Sequence, residues 1–129
     1  MSHREAVMAA DAPKPAGPYS HAVRSGGLLF CSGQVPTDPA TGALVEGSIG
    51  DQARQCLENL TTVCRQAGVS LDDAVRMAIY VTDISTFAEV NEVYGSYFES
   101  DPPARTTIGV AALPGGAQIE MDAIVALAD

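Results

Sequence analysis

Apolar and polar residues change their spacing several times along this chain, and each change marks an element. Val75, Met77, Ile79 and Val81 alternate with Arg76, Ala78, Tyr80 and Thr82, the period of two expected of a strand with one buried face. Over residues 49–67 the spacing becomes helical: Ala53, Leu57, Leu60, Cys64 and Ala67 form one apolar stripe, and Gly68 is placed to end the helix. A second helix is predicted from Ser85 or Thr86, with Glu89 completing a capping box on Thr86. Phe87, Val90, Asn91, Tyr94, Tyr97 and Phe98 make its inward side, and Pro102-Pro103 stops it.

Residues 20–24 and 28–33 read as short strands around a Gly26-Gly27 turn. The β-branched stretch 105–110 reads as another strand. After a turn at Leu113-Pro114-Gly115-Gly116, residues 119–127 alternate and then become continuously apolar, as a strand buried on both faces would. Pro13, Pro15, Gly17 and Pro18 break up the N-terminus into an extended lead-in, and residues 35–47 form a loop. Ser70-Leu71-Asp72-Asp73 carries a cap signal for a short turn. The order ββ-α-β-α-β-β predicts one α+β domain over residues 1–129, with two helices on one face of a sheet. The other face, partly apolar, is then left for another subunit to cover.

Composition narrows the functions available. With 129 residues, 47% of them hydrophobic, the chain has material for one core. Its net charge of −9 rests on only seven cations, Arg4, Lys14, Arg24, Arg54, Arg65, Arg76 and Arg105, scattered without a basic run. That argues against a nucleic-acid partner and against an anionic membrane surface. No apolar run approaches the roughly 20 residues of a membrane helix, and residues 1–14 lack a signal-peptide core. The three cysteines, Cys31, Cys56 and Cys64, make neither a disulfide framework nor a zinc motif, so reduced thiols and a cytoplasmic setting are expected. With no P-loop, dinucleotide fingerprint or metal-ligand cluster, any chemistry is expected to run without metal or cofactor.

Several side chains could carry such chemistry. Arg105 follows Pro102-Pro103-Ala104 and opens a strand, where a guanidinium can grip a carboxylate bidentately. The plainer alternative is an exposed strand-end arginine in a surface ion pair. Glu120 shares a strand face with Asp122, opposite Ile119 and Met121, and suits a general base or a water-positioning group; the alternative is the polar face of an edge strand. If the last two strands formed a hairpin, Arg105 and Glu120 would stand about five positions apart, roughly 16 Å, too far to share a small substrate. Either those strands are not neighbours, or the two residues meet from different chains.

Tyr19 could offer a hydroxyl to a cleft or simply pack with its tip in water. Ser32 could bind substrate or make a turn hydrogen bond, and it lacks the surroundings of a serine nucleophile. Asn91 could hold a ligand or cap a loop. His21 stands alone, without the partners of a metal site or a triad.

Taken in order, the motifs resemble the RidA (YjgF) family. They are Gly17-Pro18-Tyr19-Ser20, Ser32-Gly33-Gln34-Val35-Pro36, Gln52 to Leu60, Val81-Thr82-Asp83-Ile84, Phe87 to Tyr94, Pro103-Ala104-Arg105-Thr106, Leu113-Pro114 and Ile119-Glu120-Met121. The resemblance implies a chorismate-mutase-like mixed sheet whose last strand sits between earlier ones. It also implies a homotrimer with sites between subunits, and hydrolysis of reactive 2-imino/enamine acids to 2-keto acids and ammonia. On motif position, Arg105 takes the carboxylate-binding role and Glu120 the water-positioning role, while Tyr19, Ser32 and Asn91 line the pocket. Thr107 stands where many members have Cys, so its hydroxyl would touch the substrate in place of a thiol, and Gly109, Ala112 and Asp122 also depart from the common pattern. The alternative is a non-catalytic protein that binds or senses small carboxylates. RNA cleavage or translation inhibition, also associated with the family, conflicts with the charge.

Overall fold

The computed structural model describes residues 3–127. Its elements in chain order are β1 (Arg4–Val7), β2 (Ala22–Ser25), β3 (Leu28–Gln34), α1 (Ile49–Gln66), β4 (Ala74–Val81), α2 (Phe87–Tyr97), β5 (Ala104–Gly109) and β6 (Ile119–Ala126). The strands form one mixed sheet in the order β1-β2-β3-β6-β4-β5.

Strict alternation makes β6 the centre of this sheet. Ile119, Met121, Ala123 and Val125 are buried toward the helices, while Glu120, Asp122, Ile124 and Ala126 point the other way. β6 pairs antiparallel with β3 and with β4, and β5 pairs parallel with β4. The last two strands are therefore not a hairpin, and β6 lies between earlier strands as the family resemblance implied.

The buried residues of α1, among them Ala53, Cys56, Leu57, Leu60, Val63 and Cys64, pack with Met77, Ile79, Ile119 and Met121 in one core, which Val90, Tyr94 and Phe98 join from the α2 side. On the opposite face Phe30 and Ile108 stay 43% and 45% exposed, so the uncovered sheet face expected from the pattern is present.

Local signals explain where the chain departs from the pattern. Ser48 Oγ accepts from Asp51 N at 3.1 Å while Asp51 Oδ2 accepts from Ser48 N at 3.2 Å, a complete capping box on α1. The box expected on Thr86 is not made, because Glu89 Oε2 instead reaches across to accept from Gly50 N of α1 at 2.9 Å. The short turn after Ser70 forms as expected, a 3-10 helix over Leu71–Asp73 with Ser70 Oγ accepting from Asp72 N. α2 ends at Tyr97, ahead of the prolines, where the backbone of Phe98 leaves helical geometry. Val75 is 45% exposed because the register with β6 slips between Ala74 and Arg76, and Ala74 takes the buried place.

The N-terminal lead-in contains a strand that the pattern did not announce. In β1 only Val7 is buried, so there is no alternation to read. His21 secures the segment that follows: its Nδ1 accepts from Ala9 N at 2.9 Å, and its Nε2 lies 2.7 Å from Pro13 O. That is a structural post for a buried imidazole, with both ring nitrogens occupied by main chain.

Candidate active site

Arg105 opens β5 in register with Met77, and this turns its side chain to the helix face of the sheet. There its Cζ lies 4.7 Å from the centre of the Tyr94 ring and 5.5 Å from that of Phe87. Among the described residues the guanidinium has no hydrogen-bond or ion-pair partner. It borders a cavity of about 370 Å³ with Asn91, Tyr94, Gly95, Phe98, Pro102 and Pro103. Thr107, two residues on, shares this face. Three buried oxygens flanking the arginine, Asn91 Oδ1, Tyr94 Oη and Thr107 Oγ1, have no hydrogen-bond partner. Buried polar atoms are rarely left so, and here three of them surround one cation.

Glu120 stands on β6 in register with Tyr80, on the opposite face of the sheet. It borders a second cavity, about 300 Å³, with Tyr19, Ser32, Gly33 and Pro114. Its carboxylate makes no hydrogen bond or ion pair among the described residues. Partial burial, reinforced by the neighbouring Asp122 charge, raises its pKa above the ordinary carboxylate value. Asp122 is itself engaged, accepting from Tyr80 Oη at 2.9 Å. Ser32 Oγ donates to Ser20 O at 2.6 Å, the main-chain bond expected of a serine at a strand irregularity, and keeps its lone pairs. Tyr19 Oη accepts from Ala16 N at 3.0 Å, which leaves its own hydrogen to give.

The candidate residues thus fall into two groups on opposite sides of one sheet. Arg105, Asn91 and Thr107 share the helix side; Glu120, Tyr19 and Ser32 share the other. Among the described residues, larger hollows of about 430 Å³ beside Arg24 and Gly26 and about 410 Å³ between the start of α1 and α2 contain no candidate residue. Among the described residues no three His, Cys, Asp or Glu side chains converge as metal ligands, and no helix is long and apolar enough to cross a membrane.

Known proteins share both the fold and the sequence. A RutC family protein of Pyrococcus horikoshii is 46% identical over 121 residues, spanning 94% of this chain and 96% of its own. Yersinia pestis YyfA, of the conserved Rid protein family, matches with a TM-score of 0.93 at 41% identity, covering 96% of this chain and 99% of its own. E. coli TdcF, solved with bound serine, matches at 0.89 and 35%, covering 96% and 99%. The endoribonuclease L-PSP family profile matches residues 9–127. The chain belongs to this family, that of the RidA and RutC proteins.

Three residues that matter to the geometry of this Rid-family chain were not singled out by sequence reasoning. Phe87 and Tyr94 were legible only as the inward side of a helix; that this side meets Arg105 depends on β5 docking beside β4. Gly33 sits under the Glu120 side chain, and the signal for it was a glycine in a strand interior, which often marks a close approach.

Proposed function

We propose that this chain hydrolyses reactive 2-imino and enamine acids to 2-keto acids and ammonia, in clefts that the Arg105 face of one subunit and the Glu120 face of another complete together in a homotrimer. The observation that carries this reading is the Arg105 guanidinium, partly buried at a cavity and paired with no carboxylate among the described residues. A planar fork in that state matches the carboxylate of a small 2-imino acid. TdcF, with serine bound, supports a small amino-acid-sized ligand for this fold.

The chemistry asks little more of the protein. The imine carbon is already electrophilic, so a water can add to it once both are held in place. Glu120 accepts the water's proton as the C–O bond forms and returns it to the nitrogen. Glu120 next carries the hydroxyl proton of this carbinolamine to its nitrogen; the C–N bond breaks as the C=O forms, ammonia leaves and the keto acid remains. The raised pKa of Glu120 suits a base that must also give its proton back. Asn91, Thr107, Ser32 and Tyr19 would orient the substrate, and no metal or cofactor enters. A cytoplasmic setting fits three free cysteines.

RNA cleavage, which the family's name suggests, is disfavoured by a net charge of −9 and scattered cations. The test is ammonia and keto-acid release from a 2-imino acid generated in situ, with Arg105→Ala as control. Acceleration over buffer that disappears in the variant is the expected result. Tight carboxylate binding without acceleration would instead make the protein a binder or sensor of small acids.

A further inference from the structure

We propose that Phe87 and Tyr94 are positioning residues for Arg105, two rings of α2 that brace its guanidinium while leaving every N–H free for a ligand. The two rings lie seven residues apart, hence on one helix face, and they approach Arg105 Cζ at 5.5 and 4.7 Å. Tyr94 is itself fixed from behind by Phe98, ring centres 4.7 Å apart and tilted by 41°.

The chemistry of the brace matters as much as its position. An arginine held by an Asp or Glu would spend its fork and its charge on that partner. An arginine held by aromatic faces spends neither, because the attraction runs to the ring and not to the N–H groups. Among the described residues no acidic group touches Arg105, so the rings are what restrain a side chain with several free torsions. The geometry delivers a guanidinium that is ordered and unspent before the acid arrives.

This inference rests on Arg105 as the carboxylate site, and its test separates the two. Phe87 is 41% exposed, so Phe87→Leu removes a ring without opening the core; Tyr94→Leu removes the nearer, buried ring. Binding of 2-oxobutanoate and steady-state hydrolysis of 2-iminobutanoate are measured for wild type, Arg105→Ala, both leucine variants and Phe87→Tyr. Phe87→Leu is expected to weaken binding and raise KM about two- to fivefold with kcat nearly unchanged, and Phe87→Tyr to restore both. Tyr94→Leu is expected to lose more, about tenfold; should it fail to fold, Phe87→Leu decides. If Arg105→Ala abolishes binding while Phe87→Leu binds like wild type, the brace is overturned and the carboxylate site stands. Undiminished binding by Arg105→Ala overturns the carboxylate site, and the brace with it.

Discussion

The carboxyl group of Glu120 lies over the bare α-carbon of Gly33, so close that a methyl group placed there would come 2.9 Å from Glu120 Cδ and overlap a carboxylate oxygen. The contact joins the irregular end of β3 to the central strand and fixes where the carboxylate can be. Gly33→Ala should therefore move Glu120 without unfolding the sheet, since the obstructed atoms end a flexible side chain. Turnover of a 2-imino acid is expected to fall by about ten- to a hundredfold, as displacements near 1 Å do. Circular dichroism and the thermal midpoint should stay close to wild type; unchanged turnover would mean that the position of Glu120 is not critical.

Arg105→Lys keeps a positive charge and removes the fork. A bidentate grip cannot be rebuilt by one ammonium, so KM should rise by at least about tenfold and kcat/KM fall by more. Kinetics indistinguishable from wild type would show that charge alone suffices.

Because Arg105 and Glu120 face away from each other, an intersubunit site predicts complementation. Arg105→Ala and Glu120→Gln chains, each inactive alone, should regain a fraction of wild-type ammonia release when unfolded and refolded together. Some mixed neighbours then present an intact arginine to an intact glutamate. No recovery in demonstrably mixed assemblies would place both residues' roles within one chain.

Glu120 should write its raised pKa into two pH profiles. As a base, it is active when ionised, so the acid limb of kcat/KM should lie above the ordinary carboxylate range, and Asp122→Asn should shift it downward by removing a neighbouring negative charge. For stability the sign is opposite to that of a salt-bridged carboxylate. A folded-state pKa raised above the unfolded one favours the neutral form, so the stabilisation is full below the unfolded pKa and lost as pH rises through the folded value. Glu120→Gln should accordingly raise the thermal midpoint relative to wild type at pH 7 and make little difference at pH 4.

Asn59 ties the long loop to α1. Its Nδ2 donates to Val35 O at 3.3 Å and Thr37 O at 2.9 Å, and its Oδ1 accepts from Gln55 Nε2 at 2.9 Å. Asn59→Ala leaves those carbonyls without their donor and should destabilise the protein by about 1–3 kcal/mol in urea unfolding.

How much could be read in advance depended on whether local pattern or long-range pairing decided the outcome. α1 announced itself through its stripe, and β6 through alternation, because burial on one side repeats at the element's own period. β1 carries one buried residue and so had no period to show. Thr86 and Glu89 looked like a cap until the fold brought the N-terminus of α1 within reach of Glu89. Val75 fitted the alternation but fell at a bulge. Arg105 and Glu120 stood out by residue type and neighbours. That they project to opposite sides follows from β5 pairing parallel with β4 while β6 enters between β3 and β4; the family resemblance supplied only that the last strand sits between earlier ones, and spacing along the chain encodes neither pairing.

The back-to-back placement of Arg105 and Glu120 has an arithmetical consequence under the proposed reading. A solitary subunit owns no finished cleft, an open row of subunits owns one fewer than its members, and only a ring gives each member its own. Specific activity should then climb with protein concentration until rings close. A subunit pair trapped short of closure should work at about half the ring's rate per chain. For such a protein, dilution is an inhibitor.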